Sequence, residues 1–431
     1  MREMKESGVD WITHIPTDWT TNKMKYLFSN GKGLSITKEN LIETGLPVIS
    51  YGQIHSKDNS GTNIKDTLLR YVDFQYQANN PQCEVFQHDF VFADTSEDYD
   101  GCGNCVYKRD TSLLFGGYHA IIMHSLIKHD NRFFAYLFKT DAWRKQLREV
   151  ASGVKVFSIT QKALMNCSII IPPENEQKEI SDFLDAKCSE LDTAVSDIQS
   201  QIEALEEYKR SVITEAVTKG LDPDVEMRDS GVQWIGMMPT HWDCQRGKYI
   251  LRYVQKPVRD DDGVITCFRD GEVTLRSNRR EEGFTMADKE IGYQGIDVGD
   301  LVVHGMDGFA GSIGISDSRG KASPVLNVLD TEQNKRYIMY YLRSMAYNDV
   351  FVALATGIRV RSCDLRWNKL AELLYSIPPI AEQQAIVEHI DSVLERTNAI
   401  IADKKQQIET IEEYKKSLIF EYVTGKKEVQ A

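Results

Sequence analysis

Several stretches bring together residue types that do chemistry. Cys102-Gly-Asn-Cys105 has the spacing of half a zinc site, which Cys83, His88 or His119 could complete. A second such pair is missing, so two free thiols in a loop is the favoured reading. Gly314-Ile-Ser-Asp-Ser-Arg-Gly320-Lys321-Ala322 approaches a phosphate-binding loop. It has one residue too many between its glycines, and Ala322 stands where Ser or Thr would hold Mg²⁺, so a β-turn is expected. Glu97-Asp98-Tyr99-Asp100 and Asp260-Asp261-Asp262 could hold a cation, but consecutive acids in loops are far more often solvated. Gly31-Lys-Gly33 and Gly101-Cys-Gly103 are isolated and carry little signal. No Ser/His/Asp grouping stands out. The residues therefore point away from covalent or metal chemistry in this chain.

The elements that would position any site are clearer. Glu174–Gly220 follows Ile171-Pro172-Pro173 and contains no Gly or Pro before Gly220. Leu184, Cys188, Leu191, Val195, Ile198, Ile202, Leu205 and Val212 recur at steps of three and four, the seam of a helix lying along another helix. From Gln177 to Lys219 such a helix is about 65 Å long. A polar helix with one narrow apolar stripe needs a partner. Ile377-Pro378-Pro379 opens a second run, matching the first at a spacing of 206 residues. Glu176-Gln177 matches Glu382-Gln383, and Glu206-Glu207-Tyr208-Lys209 matches Glu412-Glu413-Tyr414-Lys415. Thr397 and Lys404 fall at seam positions of the second run and weaken it.

The repeat extends further. Ser7-Gly-Val-Asp-Trp11-Ile with Pro16-Thr-Asp-Trp19 matches Ser230-Gly-Val-Gln-Trp234-Ile with Pro239-Thr-His-Trp242, 223 residues on. The four tryptophans read as hydrophobic anchors fastening an extended segment to its module. Each motif opens a β-rich module, roughly Phe28–Phe157 and Arg252–Arg361, and each module ends in a helical stretch. Arg132–Lys139 matches Arg336–Arg343, and Ala151-Ser-Gly-Val-Lys-Val156 matches Ala355-Thr-Gly-Ile-Arg-Val360, both at a spacing of 204. Inside the modules the copies hardly match. The expected fold class is α+β: two β-rich globular modules separated by two long helices forming an antiparallel coiled coil, a pseudo-twofold tandem repeat. The expected boundaries are 1–157, 158–220, 221–361 and 362–431.

The net charge is −13. Residues 174–220 carry twelve acids and five bases, and residues 380–431 ten acids and seven bases, so the helical runs hold −10 of it. The modules are near neutral, which leaves room for local basic patches facing phosphates. No apolar run approaches a membrane span, the N-terminus lacks a signal-peptide core, and eight scattered cysteines read as reduced thiols. A cytoplasmic protein is expected.

The arrangement resembles the specificity subunit of type I restriction–modification systems. The residues that carry the likeness are Ser7–Trp19 and Ser230–Trp242, the Gly153 and Gly357 segments, and the helix entries Ile171–Gln177 and Ile377–Gln383. The resemblance covers essentially the whole chain. It implies that each module is a target recognition domain binding one half of a bipartite, asymmetric site in double-stranded DNA. It implies that the helices space the halves and dock two methyltransferase subunits, with restriction/translocase subunits completing the complex. No cofactor is expected in this chain; S-adenosylmethionine would sit in the methyltransferase subunit, and ATP and Mg in the restriction subunit. The second copy departs from the first at Arg361-Ser-Cys-Asp364, which leaves the path into the second helix open. The rival readings are a coiled-coil scaffold with two protein-binding modules, and a stand-alone DNA modification enzyme. The latter lacks support, because the Pro pairs read Ile-Pro-Pro-Glu and Ile-Pro-Pro-Ile rather than the Asn/Asp-Pro-Pro-aromatic element of an adenine methyltransferase.

Base edges are read by Arg, Lys, Asn, Gln, Asp and Glu, and phosphates by cations, hydroxyls and backbone N–H groups. The richest stretch is Phe268–Arg280, with Arg269, Arg276, Asn278, Arg279 and Arg280 around a Gly271 turn, strand alternation placing some of them on one face. Its plain alternative is a solvated hairpin with salt bridges to Asp270 and Glu272. His304, Met306 and Asp307 follow a strand, as Asp94, Thr95 and Ser96 do in the first module. Tyr51, Gln53 and His55 form a third candidate loop. Lys155 and Arg359 stand at equivalent places beside a repeated Gly and suit a phosphate clamp or a helix-end charge. Two reading surfaces on one duplex would lie about one helical turn apart, ~34–36 Å.

Overall fold

The computed structural model describes residues 2–126, 129–153, 155–279, 290–353 and 365–429. The chain forms two compact units: Met1–Asp197 with Gln407–Ala431, and Ile198–Gln406. Each unit takes half of each long helix, Glu174–Lys219 and Ile380–Val423.

The first unit opens with an antiparallel hairpin, Met4–Val9 against Ile12–Pro16. Thr20–Lys23 then pairs with Ser168–Ile171, so the segment before the module and the segment after it close on each other. A four-stranded sheet carries the module, in the order Phe28–Lys32, Ala120–Ser125, Phe90–Ala93, Cys105–Tyr107. Side chains alternate across a strand, and both faces here are apolar. Phe90, Phe92, Ile121 and Met123 join a core with Phe133, Phe134 and Phe138 of the helix Asn131–Lys139. Val91, Ala93, Ala120 and Ile122 join a second core beneath the sheet Phe115–Gly116, Leu46–Ile49, Arg70–Val72.

The second unit repeats this plan with other residues. Its hairpin is Met227–Asp229 against Met237–Pro239, and Asp243–Arg246 pairs with Leu374–Ile377. Its four-stranded sheet runs Arg252–Tyr253, Leu326–Asp330, Leu301–His304, Ile313–Ile315, the same sequential pattern as in the first unit. Leu301 and Val303 face the helix Lys335–Tyr347, while Val302 faces Ile265, Cys267 and Val273. The stretch that approached a phosphate loop is two strands, Ile313–Ile315 and Gly320–Ala322, joined by a turn. Arg319 is locked to Asp262 and Asp297, and Lys321 is paired with Glu290. Asp262 is 8% exposed, so this member of the acidic cluster is a buried ion-pair partner and not solvated as its run suggested.

The long helices run antiparallel within each unit. In the first, the Phe183 ring lies 4.4 Å from that of Tyr422, while Asp192, further along, pairs with Lys415. In the second, Lys404 donates to Gln201, while Gly220 lies beside Glu382. The two polar seam residues are thus accommodated. Lys404 reaches across the seam, and buried Thr397 donates its hydroxyl to Val393 O at 2.8 Å. Leu184, Cys188 and Ile202 are buried, but Leu191, Val195, Ile198, Leu205 and Val212 are only half-buried. A two-helix seam covers one side of a side chain and leaves the other to solvent. Toward the end of the first long helix burial shifts to Ile213, Ala216 and Val217, which join the core of the second module. Both long helices end on a left-handed Gly, Gly220 at φ +80° and Gly425 at φ +70°.

Candidate nucleic-acid interface

Three repeated contacts hold each module to its helix entry. Trp19 Nε1 donates to Glu176 at 2.8 Å, and Trp242 Nε1 donates to Glu382 at 3.0 Å. Both indoles are fully buried, in keeping with the anchor reading. Gln177 Nε2 donates to Pro172 O at 2.8 Å while its carbonyl accepts from Asp130 N at 3.2 Å. Gln383 does the same with Pro378 O at 2.8 Å and Asn334 N at 2.9 Å. Asp130 and Asn334 cap the module helices, so each Gln ties a helix cap to the Pro pair. Finally, Arg132 and Tyr136 both donate to Asp185, at 2.9 and 2.8 Å. Arg336 and Tyr340 both donate to Asp391, each at 2.6 Å. Burial pushes the Tyr340 hydroxyl up to about 12, so it stays a donor across the working range. Asp185 and Asp391 were not singled out from the sequence. The signal was available, since both sit in the 206-residue match opposite a repeated Arg and Tyr.

On this frame the first module gathers its candidate loops. His55 Nε2 donates to Thr95 O at 2.8 Å and its Nδ1 accepts from Asn104 at 3.0 Å, which fixes the neutral tautomer and leaves the ring no free nitrogen. Thr95 Oγ1 and His119 Nδ1 both donate to Asp94 Oδ1, at 2.8 and 2.9 Å. The Tyr51 ring packs edge-on against Tyr118 and His119, at 5.5 and 5.4 Å between centroids. Tyr51, His55, Asp94 and Thr95 therefore form one patch. The carbonyl of Gln53 is occupied by Ser50 N at 3.2 Å. Ser96 is 2% exposed and its strand pairs with Phe157–Ser158, so it lies beneath that patch. Lys155 is exposed in the turn just before that pairing strand. Gly153 makes the turn possible: its φ is +131°, and a Cβ there would meet Val156 O at 1.8 Å.

In the second module the two candidate stretches converge, with Arg269 donating to Asp307 at 3.1 Å. Gly271 forms the hairpin turn at φ +87°, against the guanidinium of Arg343. The strand ends at Leu275, and Arg276–Asn278 is a 3-10 turn, not a continuation of strand alternation. Asn278 closes it by donating to Thr274 Oγ1 at 2.8 Å. Arg279 pairs with Asp270 and Glu272 and covers the Phe268 ring at 4.1 Å, so the salt-bridged hairpin and the basic surface are the same object. His304 Nδ1 accepts from Met306 N and Asp307 N at 3.2 and 2.9 Å, and burial lowers its pKa. Met306 is 53% exposed at the loop tip. Arg280 and Arg359 lie outside the described residues.

The Cys102 and Cys105 thiols are free and buried, and burial pushes Cys105 up to about 12. Among the described residues no group of three His, Cys, Asp or Glu side chains could hold a metal ion, and no helix is long and apolar enough to cross a membrane.

A repeated fastening frame thus carries two modules with unlike polar loop surfaces. Residues 16–204 match the family model of the type I restriction modification DNA specificity domain. The chain is 22% identical over 427 residues to the putative type I restriction enzyme MjaX specificity subunit of Methanocaldococcus jannaschii, covering 96% of this chain and 95% of that protein. It is 23% identical over 335 residues to the MjaVIII specificity subunit of the same organism, covering 73% and 76%. Its fold matches a solved chain from work on assembly and conformational transition of a type I restriction–modification system, at a TM-score of 0.66 and 14% identity, covering 95% and 99%. The chain is thus similar, over nearly its whole length, to specificity subunits of type I restriction enzymes, and residues 16–204 match the model of their DNA specificity domain.

Proposed function

We propose that each module reads one half of a bipartite, asymmetric site in double-stranded DNA. The first module reads through Tyr51, Asp94 and Thr95, with Lys155 on a phosphate. The second reads through Arg269, Arg276, Asn278, Arg279, His304, Met306 and Asp307. The long helices space the half-sites and dock two methyltransferase subunits, which bring S-adenosylmethionine and methylate adenine N6. Restriction subunits, with ATP and Mg, complete a cytoplasmic complex. The observation that carries this reading is the pairing of identical fasteners with different loops. Trp19–Glu176 and Trp242–Glu382 repeat, whereas the loops after the equivalent strands read Asp94-Thr-Ser-Glu97 and His304-Gly-Met-Asp307. A frame that repeats while its surfaces diverge suits two unlike targets on one ligand.

The test is methyl transfer from labelled S-adenosylmethionine to genomic DNA. The chain alone transfers nothing, and the chain with its methyltransferase subunit transfers to a defined sequence. Transfer by the chain alone, or sequence-independent transfer by the complex, overturns the reading.

A further inference from the structure

The patch on the first module contains one side chain whose chemistry is set and unused. His119 sits at φ +55°, a left-handed conformation uncommon outside Gly. Its neighbours hold it there: its carbonyl accepts from Asp94 N at 3.1 Å, and its Nδ1 lies 2.9 Å from Asp94 Oδ1. The Thr95 hydroxyl also donates to Asp94 Oδ1, at 2.8 Å, and so has no proton left for the ring nitrogen 3.2 Å away. The proton between His119 and Asp94 therefore sits on Nδ1, because the carboxylate only accepts. In the neutral ring Nε2 then carries a lone pair. It has no partner among the described residues, and the side chain is 53% exposed. Tyr51, 5.4 Å away and edge-on, limits how the ring can turn.

This constellation differs from that of His55, three hydrogen bonds away through Thr95 and Asp94. There both ring nitrogens are consumed inside the protein. It also differs from His304 of the second module, whose Nδ1 is the acceptor and whose Nε2 therefore carries the proton. A fixed tautomer on an exposed ring is a device for reading one polarity of hydrogen bond. In the major groove the donors facing a protein are the exocyclic amines, N6 of adenine and N4 of cytosine.

We propose that His119 is a specificity-determining residue of the first module, its Nε2 accepting a hydrogen bond from the exocyclic amine of an adenine or cytosine, with Asp94 and Thr95 setting the tautomer. The assignment rests on the proposed function above, and its test separates the two. The full chain and its methyltransferase subunit are produced together in a host lacking adenine methylation, and N6-methyladenine is mapped genome-wide for the native chain, His119→Ala and His119→Gln. The native chain gives the reference motif; if it gives no sequence-defined motif, the functional reading itself fails. With a motif in hand, His119→Ala relaxes one adenine or cytosine position in one half, and the other half stays fully specified. The intact half also reports that the variant folds and assembles. His119→Gln keeps an acceptor near the Nε2 position and restores most of the preference. A His119→Ala motif identical to the native one overturns the assignment while leaving the functional reading standing. So does equal loss in both halves.

Discussion

Trp19 Nε1 donates to the Glu176 carboxylate at 2.8 Å, and the same carboxylate pairs with Arg2. One acid at the entry of the long helix thus receives the buried anchor of the preceding module and the start of the chain. Glu382 plays this part for Trp242 and His241 in the second copy. Replacing Glu176 by Ala leaves the buried Trp19 donor unpaired, at a cost of about 1–3 kcal/mol. Glu176→Gln keeps an acceptor for the indole and loses only the charge on Arg2. Chemical unfolding should rank native, Gln, Ala in that order of stability.

The helix stops are equally exposed to test. Gly425 has a positive φ, and a Cβ there would meet Pro16 at 2.4 Å, over the Trp19 ring. Gly425→Ala should destabilise by more than the ~1 kcal/mol of the backbone effect alone, read as a lower Tm, whereas Gly8→Ala, with open space around it, shows only the backbone effect.

Acid sensitivity should come from the second module's ion-pair cluster. Lys256 and then Arg319 hold the Asp297 carboxyl down at about 2, and Arg319 lowers Asp262 as well. A carboxylate whose folded pKa is depressed adds stability that is fully present above its unfolded value, ~4. That stability is lost as pH falls from about 4 toward 2. Tm measured from pH 6 to pH 3 should therefore fall at the acid end, and Asp297→Asn should start lower and lose less. Half of the Asp297 side chain faces water, so the effect is modest.

Thiol reactivity should follow burial. Burial pushes Cys105, Cys167 and Cys267 up to about 12. The thiolate is the reacting form, so iodoacetamide at neutral pH should leave these three unmodified in the native protein and label them only after unfolding. Peptide mass mapping reads the result.

The second module's reading surface should fail independently of the first. Arg269 is 61% exposed and tethered to Asp307. Arg269→Ala should weaken specific DNA binding by the complex by about 1–3 kcal/mol and relax one half-site only. Competition with duplexes altered in either half measures this.

The frame was legible in the sequence because repetition carries information that composition does not. Trp11, Trp19 and their copies, the Pro pairs and the 206-residue match located both long helices and their antiparallel pairing. The common sheet of the two modules was legible only at one strand. Asp89-Phe90-Val91 and Asp300-Leu301-Val302 share an Asp and a Val and occupy equivalent central strands, whereas the other strands of the sheet share a burial pattern and hardly any residues. The loops were located but their internal bonding was hidden. Nothing in the order of residues tells that Gln53 is spent on Ser50, or that Asp262 meets Arg319 across 57 positions. His119 drew notice only as a zinc candidate, because its tautomer depends on Asp94 and Thr95, which fold brings to it.

On the proposed function, one repeated frame presents two unlike reading surfaces to one DNA. The most direct measurement is the genome-wide map of N6-methyladenine made by this chain together with its methyltransferase subunit. The expected result is a single motif of two different specified halves separated by a fixed unspecified gap. An unbroken motif, or one with palindromic halves, would contradict it.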